Sequence, residues 1–300
     1  MSGIHSGVRG VPEVAVPQSS PARRLWTAVE PLHALVYFAP ETAAAARAVG
    51  LPSWWMGYFA GRAAPLGAVG PAPVAAMFHV FAPAMVARSL PDAWAYASPE
   101  AVLEARTEAV RAALDRTLPA GSGRSLARLA ELLEHAVAGC GFEGRPLAAA
   151  WARVPRPADP ALRVWLAATV LREHRGDGHV LAAVHAGLGG LDTTLTHVAT
   201  GDVPLAAVQD NRGWTEAEWE ESRRRLTERG VLDGEGRLTE AGGALRRRLE
   251  EDTDRLAASP LAALGVEGTE EAIRLAVPLS RHLVDSGALP VPNPMGAPRP

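Results

Sequence analysis

Helix-length stretches of periodic apolar residues, each stopped by proline or glycine, dominate this chain and confine it to a mainly α architecture. Proline cannot continue a helix that needs its N–H, and glycine tolerates the left-handed turn with which many helices end. Arg23 to Val36 reads as a helix with Trp26, Val29 and Leu32 or His33 on one face and Pro31 as a kink. Glu41 to Val49 is Ala-rich and stops at Gly50. In Trp54 to Arg62 the apolar residues surround the axis, which predicts a buried helix, with Gly57 and Gly61 letting a neighbour approach closely. Pro73 to Ser89 reads as one buried helix that carries His79 and bends at Pro83. Ser98 to Leu118 and Ser125 to Ala138 read as longer amphipathic helices. Asp159 and Pro160 open a helix bearing Leu162, Trp165, Leu166 and Val170, expected to end before Gly176.

The last third has its own pattern. Asp192 to Val198 and Leu205 to Gln209 read as short helices. Thr215 and Glu218 form a capping box that opens a helix to Arg229, closed by Gly230. Val231 and Leu232 begin a strand, Asp233-Gly234-Glu235-Gly236 turns it, and Arg237-Leu238-Thr239 returns before a helix to about Leu256. Helix, short hairpin, long helix is the order of a winged helix. The phrases Leu226 to Leu232 and Leu238 to Gly242 resemble the recognition-helix and wing segment of MarR-type regulators. The expected fold is therefore mainly α: an N-terminal helical domain followed by a winged-helix (MarR-like) module with a short β-hairpin. Its divisions are a disordered leader over 1–20, a helical domain over 21–186, the winged-helix module over 187–258, and a C-terminal helix with a Pro-rich tail over 259–300.

Across nearly its whole length the chain also resembles an actinobacterial family of SalK-like helix-turn-helix proteins. The matching phrases are Val36 to Pro40, Tyr58 to Gly67, Leu171 to His179, Arg212 to Thr215 and Asn293 to Gly296. The resemblance implies a helix-turn-helix protein and assigns no catalytic residue. Composition points the same way: every basic residue is arginine, and isoleucine occurs only at Ile4 and Ile273, a GC-rich coding bias.

The missing lysine removes P-loop and Schiff-base or pyridoxal-phosphate chemistry. A single cysteine, Cys140, excludes an intrachain disulfide and a multi-cysteine zinc site. Gly121-Ser122-Gly123 lacks the strand and helix of a nucleophile elbow, and Gly187, Gly189 and Gly190 make no dinucleotide fingerprint. No cofactor is expected. The apolar runs are too short for a membrane span and no basic-then-apolar leader is visible, so a cytoplasmic address is expected. The net charge of −3 demands no polyanionic partner.

Candidate site residues concentrate in Arg172-Glu173-His174-Arg175-Gly176-Asp177-Gly178-His179, where charge sits between two apolar stretches. Polar groups wedged there must be paired with one another or serve a ligand. The spacing of His174 and His179 does not match a helical i,i+4 zinc pair, so no metal is assigned. Arg62 shares a helix face with Tyr58 and needs an anion, supplied by Glu173, by Asp177 or by a substrate. Together Tyr58, Arg62, Arg175 and Asp177 suit a pocket for a small acidic or hydroxylated molecule. Glu173, His174, His179 and His79 are the candidate proton-transfer groups.

For the helix opened by Thr215, four carboxylates in six residues (Glu216, Glu218, Glu220, Glu221) disfavour DNA, whose affinity rests on cations. Arg223, Arg224, Arg225 and Arg229 are expected to pair with glutamates, as in Glu220 with Arg224 and Glu221 with Arg225. The leading expectation is a small-molecule-binding protein with its pocket between the helical domain and the winged helix. Whether it is a cofactor-independent enzyme stays open, as does a homodimer. The alternative is a ligand-responsive MarR-like transcriptional regulator.

Overall fold

The computed structural model describes residues 19–293 and 295–300; apart from Ser19 and Ser20, the expected leader lies outside them. Fifteen α-helices and one 3-10 turn follow one another among the described residues. The larger bundle contains α1 (Pro21–Phe38), α2 (Pro40–Ala48), α3 (Trp54–Ala63), α4 (Pro71–Met77), α5 (Pro83–Ala87), α6 (Ala93–Tyr96), α7 (Pro99–Thr117), α8 (Gly123–Ala138) and α9 (Pro146–Trp151). After it come α10 (Pro160–His185), α11 (Gly190–Val198), α12 (Leu205–Arg212), α13 (Glu216–Glu228), α14 (Glu240–Leu256) and α15 (Ser259–Asp285). None of these helices is long and apolar enough to cross a membrane.

The helix starts follow from their caps. Ser20, Ser53, Ser98 and Asp159 accept the orphan N–H groups of Arg23, Met56, Ala101 and Leu162, satisfying donors that have no intrahelical partner. Thr215 and Glu218 form the expected reciprocal box at the start of α13. Proline fills the first turn of α1, α2, α7 and α10, where its missing N–H costs nothing.

α10 is the spine. Its first half buries Leu162, Trp165 and Leu166 in a large core with Leu32 and Leu35 of α1, Phe59 of α3, Val110 of α7 and Leu129 and Leu133 of α8. Its last turns supply Ala182 and Ala183 to a second core with Leu191, Leu195, Trp219, Leu226, Val231 and Leu249. α15 packs along α1 and α8, and beyond it Leu289 and Ala297 close a small cluster over Ala34.

Three expectations are corrected. No winged helix with a β-hairpin forms: among the described residues 230–239 hold only an isolated bridge between Leu232 and Leu238. The segment is too short for strands, because its backbone is already committed. Asp233 N donates to Arg237 O, the Asp233 carboxylate accepts from Glu235 N and Arg237 N, and Thr239 caps α14. Second, α10 does not stop before Gly176 but continues to His185. Two helical glycines cost about 1 kcal/mol each, and packing offsets this. A Cβ at Gly178 would stand 2.6 Å from Arg145 Nη1, so the bare position admits that guanidinium. Third, Pro83 separates α4 from α5 instead of bending one helix, leaving His79 in the connection.

Candidate functional site

A helix turns its side chains by about 100° per residue, so an uninterrupted α10 sends Glu173 to His179 in several directions. His174 Nε2 meets Gly141 O at 3.1 Å, and burial with nearby Arg145 brings its pKa down to about 4. Arg175 reaches Asp254 of α14 at 2.7 Å and stacks over Trp26. Asp177 accepts the N–H of Ala148 at 3.0 Å, capping α9 from outside, while burial raises its pKa to about 6. His179 Nδ1 lies 3.0 Å from Thr253 Oγ1, which itself donates to Leu249 O, so the ring is the donor. His79 lies beside Thr193 on α11, at 3.5 Å. These five are tied to four different places, Arg175 and His179 both to α14.

Tyr58, Arg62 and Glu173 do come together. Arg62 Nη2 donates to both Glu173 oxygens at 3.1 and 2.9 Å, Nε to one of them at 3.3 Å, and Nη1 to Tyr58 OH at 3.1 Å. Arg172 Nη1 adds two bonds of 3.0 Å to the same carboxylate. Burial opposes ionisation of Glu173, but Arg172 and Arg62 outweigh it and hold its pKa below the usual range. On α1, Glu30 accepts from Trp26 Nε1 and lies 3.7 Å from Arg172; burial dominates there and lifts its pKa to about 7. His33 donates from Nδ1 to Thr169 Oγ1, whose own proton goes to Trp165 O. Burial among Arg172, Arg106 and Arg62 keeps that imidazole neutral, with Nε2 unpartnered.

Next to this layer, α1, α2, α3 and α7 enclose a cavity of about 80 Å³, lined among others by Tyr37, Thr42, Arg47, Trp54, Tyr58 and Arg106. Arg106 is 4% exposed. It passes over the rings of Tyr37 and Trp151 at 5.3 and 5.9 Å, in space left by Gly61, where a Cβ would stand 2.9 Å from Nη1. Burial lowers the Arg106 pKa, and the nearby Tyr37 offsets this only in part. Yet the Tyr37 hydroxyl, the Thr42 hydroxyl and Arg106 Nε and Nη2 are all buried without hydrogen-bond partners. Such orphans are rare in folded proteins, and here four belong to three residues that line one cavity. Sequence reasoning missed Arg106, Tyr37 and Thr42. The signal was present on α7, where Arg106 interrupts the buried stripe Val102, Ala109, Val110 and Ala113 at helical spacing.

The second core carries a different geometry. α12 and α13 are joined only by Gly213-Trp214-Thr215, with Gly213 left-handed at φ 74°. Two helices on a three-residue glycine turn make a helix-turn-helix, and a helix-turn-helix family model matches residues 22–290. The chain belongs to that helix-turn-helix family. No curated protein and no solved structure matches it.

In this helix-turn-helix protein the turn is clasped by the α4–α5 connection. Trp214 Nε1 donates to Val80 O and Ala82 N to Arg212 O, each at 2.9 Å. Gly213 packs on Met85, and Gly190 of α11 on the His79 carbonyl. The arginines of α13 are all engaged: Arg223 with Glu220, Arg224 with Glu221 and Glu228, Arg225 with Asp192 and Glu221, and Arg229 with the carbonyls of Ala186 and Gly187. Glu221 pairs with Arg225 as expected, whereas Glu220 takes Arg223 in place of Arg224. Glu216 and Glu218 stay exposed at the helix start. Cys140 is a poor nucleophile, since burial pushes its thiol up to about 12.

Proposed function

We propose that this helix-turn-helix protein binds a small acidic or hydroxylated molecule in the cavity between α1, α2, α3 and α7. One observation carries the reading: Arg106, 4% exposed, is among the residues lining that cavity, and its Nε and Nη2 are buried without partners. A buried charge without its counter-ion costs several kcal/mol, and strain of that size is concentrated where a ligand offsets it. The expected pocket between the two parts of the chain is thus replaced by one inside the larger bundle, with Tyr58 shared. Glu173, His174, His179 and His79 do not face one another, and no proton relay among them belongs to the proposal. Within the family we place the chain with SalK-like actinobacterial proteins, on the Tyr58–Gly67 and Leu171–His179 phrases.

Native mass spectrometry of the full chain against a library of small acids, alcohols and amides tests this. Retention of an acidic or hydroxylated member by the parent, and its loss in Arg106→Gln, is the expected result. Retention of none, or retention unchanged by Arg106→Gln, contradicts it.

A second reading, a ligand-responsive DNA-binding regulator, is favoured by the family match and by the α12–turn–α13 geometry. Sequence-specific retardation of the duplex upstream of its own gene at low salt supports that reading, and absence of retardation counts against it.

A further inference from the structure

The other arginines of this chain show what Arg106 lacks. In Arg62, Arg116, Arg128 and Arg299 the Nε and Nη2 nitrogens together grip one carboxylate, those of Glu173, Glu41, Glu271 and Asp285. The N–H groups on that edge of a guanidinium are parallel and match the two oxygens of a carboxylate. In Arg106 it is the same two nitrogens, Nε and Nη2, that are buried and unpartnered. Arg62 and Arg172 already share the one carboxylate of Glu173, so Arg106 is left without a carboxylate of its own.

From this we infer that the cavity takes a small planar monocarboxylate, its carboxylate on the Nε–Nη2 edge of Arg106 and its flat body against Trp54 and Tyr58. The inference deepens the proposed function and rests on it. Tyr37 and Thr42 also line the cavity, and their hydroxyls, buried and unpartnered, are donors for the remaining oxygen lone pairs. A cavity of 80 Å³ is about half the roughly 150 Å³ that accommodates benzene, which admits the carboxylate and its first carbon. The rest of the ligand then lies at the mouth, where Trp54 is 47% exposed and stacks on Tyr58 at 5.4 Å and 21°. That stack offers a flat apolar face to a ring or conjugated chain. Arg47, exposed at the same mouth, favours approach of an anion.

Isothermal titration of the full chain with benzoate, acetate, benzamide and phenylphosphonate tests the class. Benzoate is expected to bind at least about tenfold more tightly than each of the others. Arg106→Gln weakens benzoate by at least about tenfold, and Trp54→Ala brings it to the level of acetate without changing acetate. Tyr37→Phe, which keeps the ring, weakens benzoate severalfold and serves if Arg106→Gln does not fold. Benzamide or phenylphosphonate binding as tightly as benzoate, and losing affinity in Arg106→Gln, overturns the carboxylate class while the pocket reading stands. Benzoate affinity unchanged in Arg106→Gln and Tyr37→Phe overturns the inference. Silence from all four probes overturns it too, and only a blank small-molecule library removes the pocket reading with it.

Discussion

At the scale of single residues, two buried charges are held in different ways. Arg106 has no carboxylate hydrogen-bonded to it, and its desolvation is offset only in part, by Tyr37 and Glu173. Arg106→Met keeps the apolar stem and removes that charge, and in urea unfolding without ligand it is expected to stabilise the chain by about 1–3 kcal/mol; a loss of stability would show that the charge is already satisfied. Glu30 titrates instead. Its pKa rises from an ordinary 4.5 to about 7, so the folded chain keeps a proton that the unfolded chain releases, and this contribution is lost as pH climbs from 4.5 through 7. Asp177, raised to about 6, acts in the same sense, whereas His174 and His179, lowered to about 4, act in the opposite sense. Comparing Glu30→Gln with the parent isolates one term: the variant is expected to gain on the parent, by up to about 3 kcal/mol, between pH 5 and pH 8. A difference that stays flat with pH would count against it. The sequence placed Tyr58 beside Arg62 and offered Glu173 as one of three anions for it, because i,i+4 spacing and the need of a buried arginine for an anion are local arguments. It hid Arg106 because bare nitrogens are defined only by what fails to reach them across the fold.

At the scale of elements, capping chemistry made the starts of α10, α13 and α14 legible, since Asp159, Thr215 and Thr239 act within their own turns. Besides the break between α4 and α5 before Pro83, two elements were not legible. α10 runs through Gly176 and Gly178 because Arg145, just before α9, fills the space beside Gly178. The expected hairpin shrank to one bridge because both flanking helices compete for its residues. The α12–α13 turn offers a direct test. Gly213 combines a positive φ with Met85 at its back, where a Cβ would stand 2.7 Å from Met85 Cβ. Gly213→Ala is expected to cost about 2 kcal/mol or more, read by urea unfolding. A cost below about 0.5 kcal/mol would mean that the turn is not clasped.

Across the whole molecule, α10 joins the two cores and the α4–α5 connection binds the helix-turn-helix onto the bundle that holds the cavity. The exposed start of α13 is acidic and its arginines are engaged, so the parent is expected not to retard random duplex DNA at low salt. Replacing Glu216, Glu220 and Glu221 with Gln is expected to produce salt-sensitive retardation. Retardation by the parent itself would reverse the charge argument. The function proposed for the cavity turns on whether Arg106 anchors an acid. The arginine Nε–H resonances of ¹⁵N-labelled protein report this directly during titration with benzoate. The Arg106 Nε–H signal is predicted to move on saturation, with Arg62, held by Glu173, far less affected. An Arg106 signal that stays fixed while benzoate binds, or that moves as much with benzamide, would contradict it.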